Sequence, residues 1–164
     1  MVNWNAIRLF LILVAQLELS STQVDYAAAF AHAPIPKPIG YDKMSPEEQQ
    51  KHDAHVDLPR GFKQNHPGCV LKLKKNLYGS KSAPRNWFHH LRDNLDKVGL
   101  KQQIDVDPCL FLSDKVMCVT YVDDCLFAAQ DPADIASMLH QLRNKCEMHL
   151  EEEDDVCGGW NVRP

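Results

Sequence analysis

The sequence lacks the long apolar run and the cysteine spacing that mark membrane-spanning or disulfide-rich proteins. No stretch approaches the roughly 20 consecutive apolar residues that a membrane-spanning helix needs. The six cysteines include no C-x-x-C pair, and several fall in predicted strands. This favours reduced, buried thiols and an intracellular protein of the cytoplasm or nucleus. The eight histidines lack the spacing of a zinc site, and no internal repeat is present. We therefore expect no membrane partner.

The amino-terminal segment also lacks a complete secretion signal. Residues 9–15 form an apolar run like the core of a signal peptide, but no small-residue cleavage site follows it. Apolar residues here recur at helical spacing instead, which predicts a helix over residues 5–19 capped by Asn3 or Asn5. A secreted small protein is the alternative that we set aside.

The net charge of −4 lacks the basic excess that is typical of nucleic-acid-binding proteins. The distribution is uneven, however: residues 60–101 carry ten Lys or Arg against two acidic residues, and residues 102–164 carry four against thirteen. A basic middle beside an acidic tail can form a phosphate-attracting surface next to a metal site. The alternative is that the lysines only solvate one face. The length of 164 residues suits one domain with one core.

Two adjacent carboxylates, Asp123 and Asp124, lie between the apolar runs 116–120 and 125–129. The runs are rich in β-branched and aromatic residues, which predicts a β-hairpin with the two aspartates at or near its turn. Carboxylates are costly to bury unpaired, so the pair indicates a cation, and Mg²⁺ prefers such hard oxygen ligands. A solvent-facing Asp-Asp turn is the alternative, because Asp is a favoured turn residue.

The segment Tyr121-Val122-Asp123-Asp124 resembles the polymerase signature of reverse transcriptases, and its context resembles the Ty1/copia class of retrotransposon polyproteins. Three further segments follow that family's order: QVDYAAAF at 23–30, CVLKLKKNLYGSKSAPR at 69–85 and DVDPCLF at 105–111. The resemblance covers roughly residues 4 to 155.

The resemblance implies how the chain is organised and folded. We expect a partial reverse transcriptase domain, palm with part of the fingers, over residues 1–156, with a surface excursion at 33–57 and a divergent end at 157–164. The excursion is alternatively a loop without chemistry. The expected fold is α+β: a polymerase palm-like antiparallel sheet with helices packed on one face and the other face left open for a duplex. The chain would belong to a longer polyprotein.

The resemblance also implies an RNA-directed DNA polymerase that extends a primer by two-metal nucleotidyl transfer. Asp25 and Asp123 would be the principal ligands of two Mg²⁺ ions, with Mn²⁺ as a substitute, and Asp124 the auxiliary carboxylate. The implied partners are an RNA or DNA template-primer and deoxynucleoside triphosphates (dNTPs). The alternative is a truncated, catalytically inactive remnant that keeps the palm fold and binds nucleic acid weakly.

Five further residues form the dNTP- and template-binding set that the resemblance implies. The ring of Phe30 would lie under the sugar and clash with a 2′-hydroxyl, although core packing explains this residue equally well. Gly79 would admit a base or backbone closely, and Lys81 would meet phosphate. Tyr78 and Tyr121 complete the set.

Local patterns predict the remaining elements. Ser45-Pro46 predicts a capped helix start, and residues 70–75 alternate apolar and basic, which predicts a half-buried strand with cations on its other face. Amphipathic helices are predicted from Ser82 to about Val98 and from Asp131 to about residue 146. The acidic run 151–155 is predicted to be a solvated turn.

Overall fold

The computed structural model describes residues 2–62, 68–146 and 150–152. Within it the chain forms two compact units. The first comprises residues 1–29 and 88–164, and the second comprises residues 30–87. The second unit is inserted between two parts of the first. One domain was expected from the sequence, and this division was not predicted.

The first unit is built on a six-stranded sheet in which every recorded pair of strands is antiparallel. The spatial order is β4-β5-β6-β7-β1-β8, so the amino-terminal strand β1 lies between two later strands. The strands are β1 (Ser20–Tyr26), β4 (Lys101–Gln103), β5 (Asp107–Leu112), β6 (Val116–Tyr121), β7 (Asp124–Ala129) and β8 (Leu150–Glu152).

Apolar residues on both faces of the central strands are buried. On one face, Val119 and Ala128 form a cluster with Phe10 of helix α1 (Trp4–Gln16). Cys118 and Phe127, one position along their strands and therefore on the other face, are fully buried as well. Helix α5 (Pro132–Cys146) contacts β7 and β1. The α+β class with an antiparallel sheet is therefore confirmed. The expectation of one face left open does not hold for the whole sheet, because α1 packs on the face of Val119 and Ala128 while Cys118 and Phe127 are buried on the other.

The predicted helix starts are confirmed where a capping residue is present, whereas α1 ends at Gln16 and not at residue 19 as predicted. The Asn3 side chain accepts a hydrogen bond from the Asn5 amide at the start of α1, and Asp131 accepts one from the Ala133 amide at the start of α5. Helix α4 (Ala83–Lys97) ends before Gly99, whose φ of 94° lies in the left-handed region that glycine adopts without strain. None of the described helices has the length and apolar character needed to cross a membrane.

The second unit contains short elements around the predicted excursion. Ser45 and Glu48 form the reciprocal capping box expected at the start of α3 (Pro46–His52), so that prediction is confirmed. The other elements are α2 (Ala29–His32, which begins one residue before the unit), a 3₁₀ turn (Tyr41–Lys43), β2 (His55–Asp57) and β3 (Val70–Lys72). Strands β2 and β3 pair antiparallel.

A cluster around Tyr41 ties this excursion to β3. The Tyr41 hydroxyl donates to Asp53 at 2.5 Å, and the Lys72 ammonium lies 2.5 Å from the same carboxylate. The Lys37 ammonium stands 4.4 Å from the centroid of the Tyr41 ring, within the range of a cation–π contact. The excursion is thus an anchored structure, and Lys72 is engaged by protein groups.

The prediction of a half-buried strand over residues 70–75 is wrong. Strand β3 covers only Val70–Lys72 and all three residues are exposed, with Val70 at 51% and Leu71 at 45%. The sequence does alternate apolar and basic residues here, but none of the described residues of this unit covers the side chains of Val70 and Leu71. The domain limits 1–156 stay a prediction, and residues 157–164 lie outside the described part of the chain.

The Tyr41 cluster makes the second unit sensitive to acid. Hydrogen bonds from Lys72 and then Tyr41 lower the pKa of Asp53, and Asp53 raises the pKa of Lys72. The contribution of Asp53 is therefore present above its unfolded pKa of about 3.9 and is lost as the pH falls through its lower folded pKa. The contribution of Lys72 is present below about pH 10.4 and is lost as the pH rises through its raised folded pKa.

We expect the amide NMR signals of residues 41–57 to lose dispersion on acidification below about pH 4 before those of the sheet do. Asp53→Asn is the matched variant: it should loosen this segment at neutral pH and remove its separate acid step. Identical acid profiles for the two proteins would contradict the assignment.

Candidate active site

The two adjacent aspartates lie where the sequence placed them, at a tight hairpin turn. Strand β6 ends at Tyr121 and β7 begins at Asp124, which leaves Val122 and Asp123 as the two-residue loop. Val122 has a φ of 58°, a left-handed conformation that is rare for a β-branched residue. Such strain persists only where surrounding structure holds it, here by two strands paired in register up to the turn.

The third aspartate lies directly across the sheet from this hairpin. In the β1–β7 ladder Asp25 is the register partner of Asp124. The Tyr26 amide donates to the Asp123 carbonyl at 3.2 Å, so the main chain of β1 also holds the turn. Directly opposed residues of an antiparallel pair have Cα atoms about 4.5–5.5 Å apart. Residues about a hundred positions apart in the sequence therefore converge.

The same register places a row of functional candidates across the sheet. Tyr121 of β6 pairs with Asp124 of β7, which pairs with Asp25 of β1. Paired positions share a face, so the three side chains project to one side of the sheet. The backbone of Glu151 is the next register partner of Asp25. The acidic run predicted as a turn over 151–155 thus begins in a strand, a correction for residues 151–152, and residues 153–155 lie outside the described part.

The carboxylates are accessible to solvent and only partly engaged. Asp124 is exposed, while Asp25 and Asp123 are half-buried. The Gln23 side-chain amide donates to Asp124 Oδ1 at 3.3 Å. Within the described residues no three His, Cys, Asp or Glu side chains stand as a ready-made metal-ligand set. The register brings the backbones of Asp25 and Asp124 together.

The chemistry of this donor set fits a hard divalent cation. Three carboxylates supply only oxygen ligands, which Mg²⁺ prefers, and their partial exposure leaves room for water and phosphate oxygens. Behind the hairpin, on the opposite face, Cys118 and Cys125 are buried, and burial raises the pKa of the Cys125 thiol, with Cys118 as a further cause. The Cys125 thiol therefore stays protonated, and both cysteines pack as core residues.

Four of the five nucleotide-binding candidates belong to the second unit, whereas Tyr121 ends β6 of the first. The rings of Phe30 and Tyr78 are packed together, with centroids 4.6 Å apart and planes inclined by 42°. Phe30 is buried and Tyr78 is 54% exposed. Gly79 has a φ of 90°, and beyond its two chain neighbours no described atom lies within 4 Å of where its Cβ would stand. Lys81 is exposed. The structure thus brings Phe30 and Tyr78 into contact and leaves space beside Gly79.

Two contacts were missed by the sequence analysis. Gln23 holds Asp124, and its position two residues before Asp25 on the same strand face was a usable signal. Asn76, only 5% exposed, binds the carbonyls that follow Phe30. A buried asparagine cannot be recognised from one sequence, because its burial depends on distant partners.

Comparison with known proteins agrees with this geometry. The chain belongs to the reverse transcriptase (RNA-dependent DNA polymerase) family, whose model matches residues 1–154. Within that family, its curated relatives are Pol polyproteins of the Ty1/copia type.

Three relatives illustrate the similarity. The chain is 34% identical over 62% of its length to the retrovirus-related Pol polyprotein from transposon RE1 of Arabidopsis thaliana. It is 29% identical over 90% of its length to that from transposon TNT 1-94 of Nicotiana tabacum. It is 23% identical over 82% of its length to the transposon Ty1-GR3 Gag-Pol polyprotein of Saccharomyces cerevisiae. The matched regions span 7%, 10% and 7% of those polyproteins, respectively.

Repulsion between the opposed carboxylates of Asp25 and Asp124 should lower the free energy of unfolding when divalent ions are absent. Like charges directly opposite in a sheet destabilise the pair, by about 0.2–1 kcal/mol. We expect Asp124→Asn to raise the free energy of unfolding in urea by about that amount in chelator at low salt, and added salt to shrink the gain. Asp105→Asn, which removes a carboxylate from a turn outside the row, is the control. An equal gain in both variants would show that only net charge matters.

The strained turn predicts a stabilising substitution. A left-handed conformation costs an L-residue about 1–2 kcal/mol. Glycine removes that cost but loses about 0.5–1 kcal/mol through its freer unfolded chain. We expect Val122→Gly to stabilise the protein by up to about 1 kcal/mol in urea unfolding. Val122→Ala keeps a Cβ and should not share the gain. A destabilised glycine variant would mean that the turn is not strained.

Proposed function

We propose that this chain contributes the carboxylate site of an RNA-directed DNA polymerase, which adds dNTPs to a primer paired with an RNA or DNA template. The observation that carries the proposal is the register pairing of Asp25 with Asp124 beside the strained Val122-Asp123 turn. Membership of the reverse transcriptase family supports it. On the same two observations, we propose that the first unit is similar to a polymerase palm.

Asp25 and Asp123 would hold two divalent ions, Mg²⁺ or Mn²⁺, with Asp124 as the auxiliary carboxylate. When bound, such ions supply Lewis acidity that makes the primer 3′-hydroxyl a better nucleophile and neutralise charge on the triphosphate. The protein's own part would be positioning: the β1–β7 ladder sets the backbones of Asp25 and Asp124 opposite each other before any substrate arrives. Asp124 accepts the Gln23 amide at Oδ1, and a carboxylate has further lone pairs with which it could bind a cation at the same time.

The second unit would supply nucleotide recognition. The Phe30 ring, supported by Tyr78, would exclude a 2′-hydroxyl and so favour deoxynucleotides. Gly79 would allow close approach of a base or backbone, and Lys81, exposed beside it, would meet phosphate. Tyr121, in register with Asp124, would flank the primer end. The free thiols of the described part suit the proposed intracellular setting.

The direct test is primer extension by the full chain on an RNA template with dNTPs. We expect extension that requires Mg²⁺ and that falls by at least about a hundredfold in Asp123→Asn, because metal-bound charge stabilisation amounts to several kcal/mol. Asp105→Asn should extend as the unchanged protein does. Extension that survives Asp123→Asn, or that ignores chelation, would contradict the proposal.

A second function is favoured by one observation, that no ready-made set of three ligands exists among the described side chains. In that case the chain is an inactive remnant that keeps the fold and binds nucleic acid weakly. Duplex binding without extension, under conditions in which a longer relative extends the same primer, would select this function over the first.

A further inference from the structure

A buried carboxamide joins the two segments that carry Phe30 and Tyr78. The Asn76 side chain donates through Nδ2 to the Ala33 carbonyl at 2.8 Å and to the Pro34 carbonyl at 3.2 Å. Its Oδ1 accepts a hydrogen bond from Asn86 Nδ2 at 2.8 Å. Both amide protons and the oxygen of Asn76 are therefore used, and the side chain has one allowed orientation.

The sequence around Pro34 explains why a side chain, and not a strand ladder, binds these carbonyls. Pro34, Pro36 and Pro38 lack backbone N–H groups, so this segment offers mostly acceptors and cannot form a regular strand ladder. Among the described residues, its β-contact is a single bridge between Pro34 and Lys75, next to which the Asn76 amide donates to the Ala33 carbonyl at 3.4 Å. The Lys75 ammonium donates to the His32 carbonyl at 3.0 Å. Lys75 and Asn76 together therefore bind three consecutive carbonyls, at positions 32, 33 and 34.

The hydrogen bonds of Asn76 lie close to Phe30 and Tyr78 along the chain. Ala33 lies three residues after Phe30, and Asn76 lies two residues before Tyr78. Tyr78 is more than half exposed, so little packing holds its ring in place. Its ring nevertheless rests on Phe30 with centroids 4.6 Å apart. The contact depends on how far apart the backbone holds the two residues, and the contacts of Lys75 and Asn76 with residues 32–34 join the two segments there.

We propose that Asn76, oriented by Asn86, is a positioning residue of the nucleotide site that sets the Tyr78 ring against the Phe30 ring. Asn76 touches no substrate in this account. Its effect on sugar discrimination rests on the proposed polymerase function, whereas its effect on the ring contact does not. The two parts of the proposal are therefore tested by separate measurements.

The first measurement is the nuclear Overhauser contact between the Phe30 and Tyr78 rings in the full chain. We expect the contact in the unchanged protein and its loss in Asn76→Ala, with amide shifts of the first-unit sheet unchanged. Asn144→Ala, an exposed asparagine on α5, should keep the contact. A ring contact that persists in Asn76→Ala overturns the proposal. If that variant does not fold, Asn86→Ala, which leaves both Nδ2 hydrogen bonds in place, decides by whether its contact weakens.

The second measurement is discrimination between dUTP and UTP, which differ only in the 2′-hydroxyl, as the ratio of kcat/KM in primer extension or of affinities where extension is absent. We expect Asn76→Ala to reduce the ratio by about ten- to a hundredfold, the effect expected of a misplaced binding group, and Asn144→Ala to leave it unchanged. An unchanged ratio despite a lost ring contact overturns the role in discrimination. A wild-type chain that binds neither nucleotide overturns the proposed function and with it that role, while the ring measurement still decides the positioning.

Discussion

The pairing of β1 with β7 is the constraint on which the candidate site depends. It sets Asp25 directly opposite Asp124, although like charges in that arrangement oppose folding. The side-chain period of a strand is two, so a slip of one residue in this ladder would send Asp25 to the other face of the sheet. Val24 and Tyr26 would then leave the buried face, which makes such a slip costly. Core packing behind the sheet therefore fixes the carboxylates in front of it.

The hairpin turn follows from the same constraint. Because β6 and β7 are in register up to Tyr121 and Asp124, only two residues remain to reverse the chain. Val122 takes the left-handed conformation that this short loop requires. The main chain of β1 reaches the turn as well, through the hydrogen bond from Tyr26 to the Asp123 carbonyl. Strain and charge repulsion are thus concentrated at one end of a well-packed sheet, as is common at functional sites.

The second unit is held by different means. Its two-stranded sheet is exposed and would be marginal alone, so side-chain contacts provide much of its order. The Tyr41 cluster anchors the excursion to Lys72, and Asn76 anchors the proline-rich segment. Side chains engaged in these contacts, such as Lys72, are not free to bind phosphate. Fewer basic residues of this unit are therefore available to a nucleic acid.

Elements that depend on local chemistry could be predicted from the sequence, and those that depend on distant partners could not. The capping box at Ser45 and the end of α4 before Gly99 each depend on a few neighbouring residues. Asp25 was placed beside the hairpin through the family resemblance, since no local pattern relates positions a hundred residues apart. The exposure of Val70, the pairing of Lys72 and the burial of Asn76 are decided by which segments meet, and one sequence does not give that.

The central claim is that Asp25, Asp123 and Asp124 together form a divalent-cation site. Paramagnetic broadening by Mn²⁺ tests it most directly, because the effect falls steeply with distance from the bound ion. Substoichiometric Mn²⁺ should first broaden the amide signals of residues 25–26 and 122–124, and excess Mg²⁺ should restore them. Broadening centred on other acidic residues, or none at millimolar Mn²⁺, would contradict the claim.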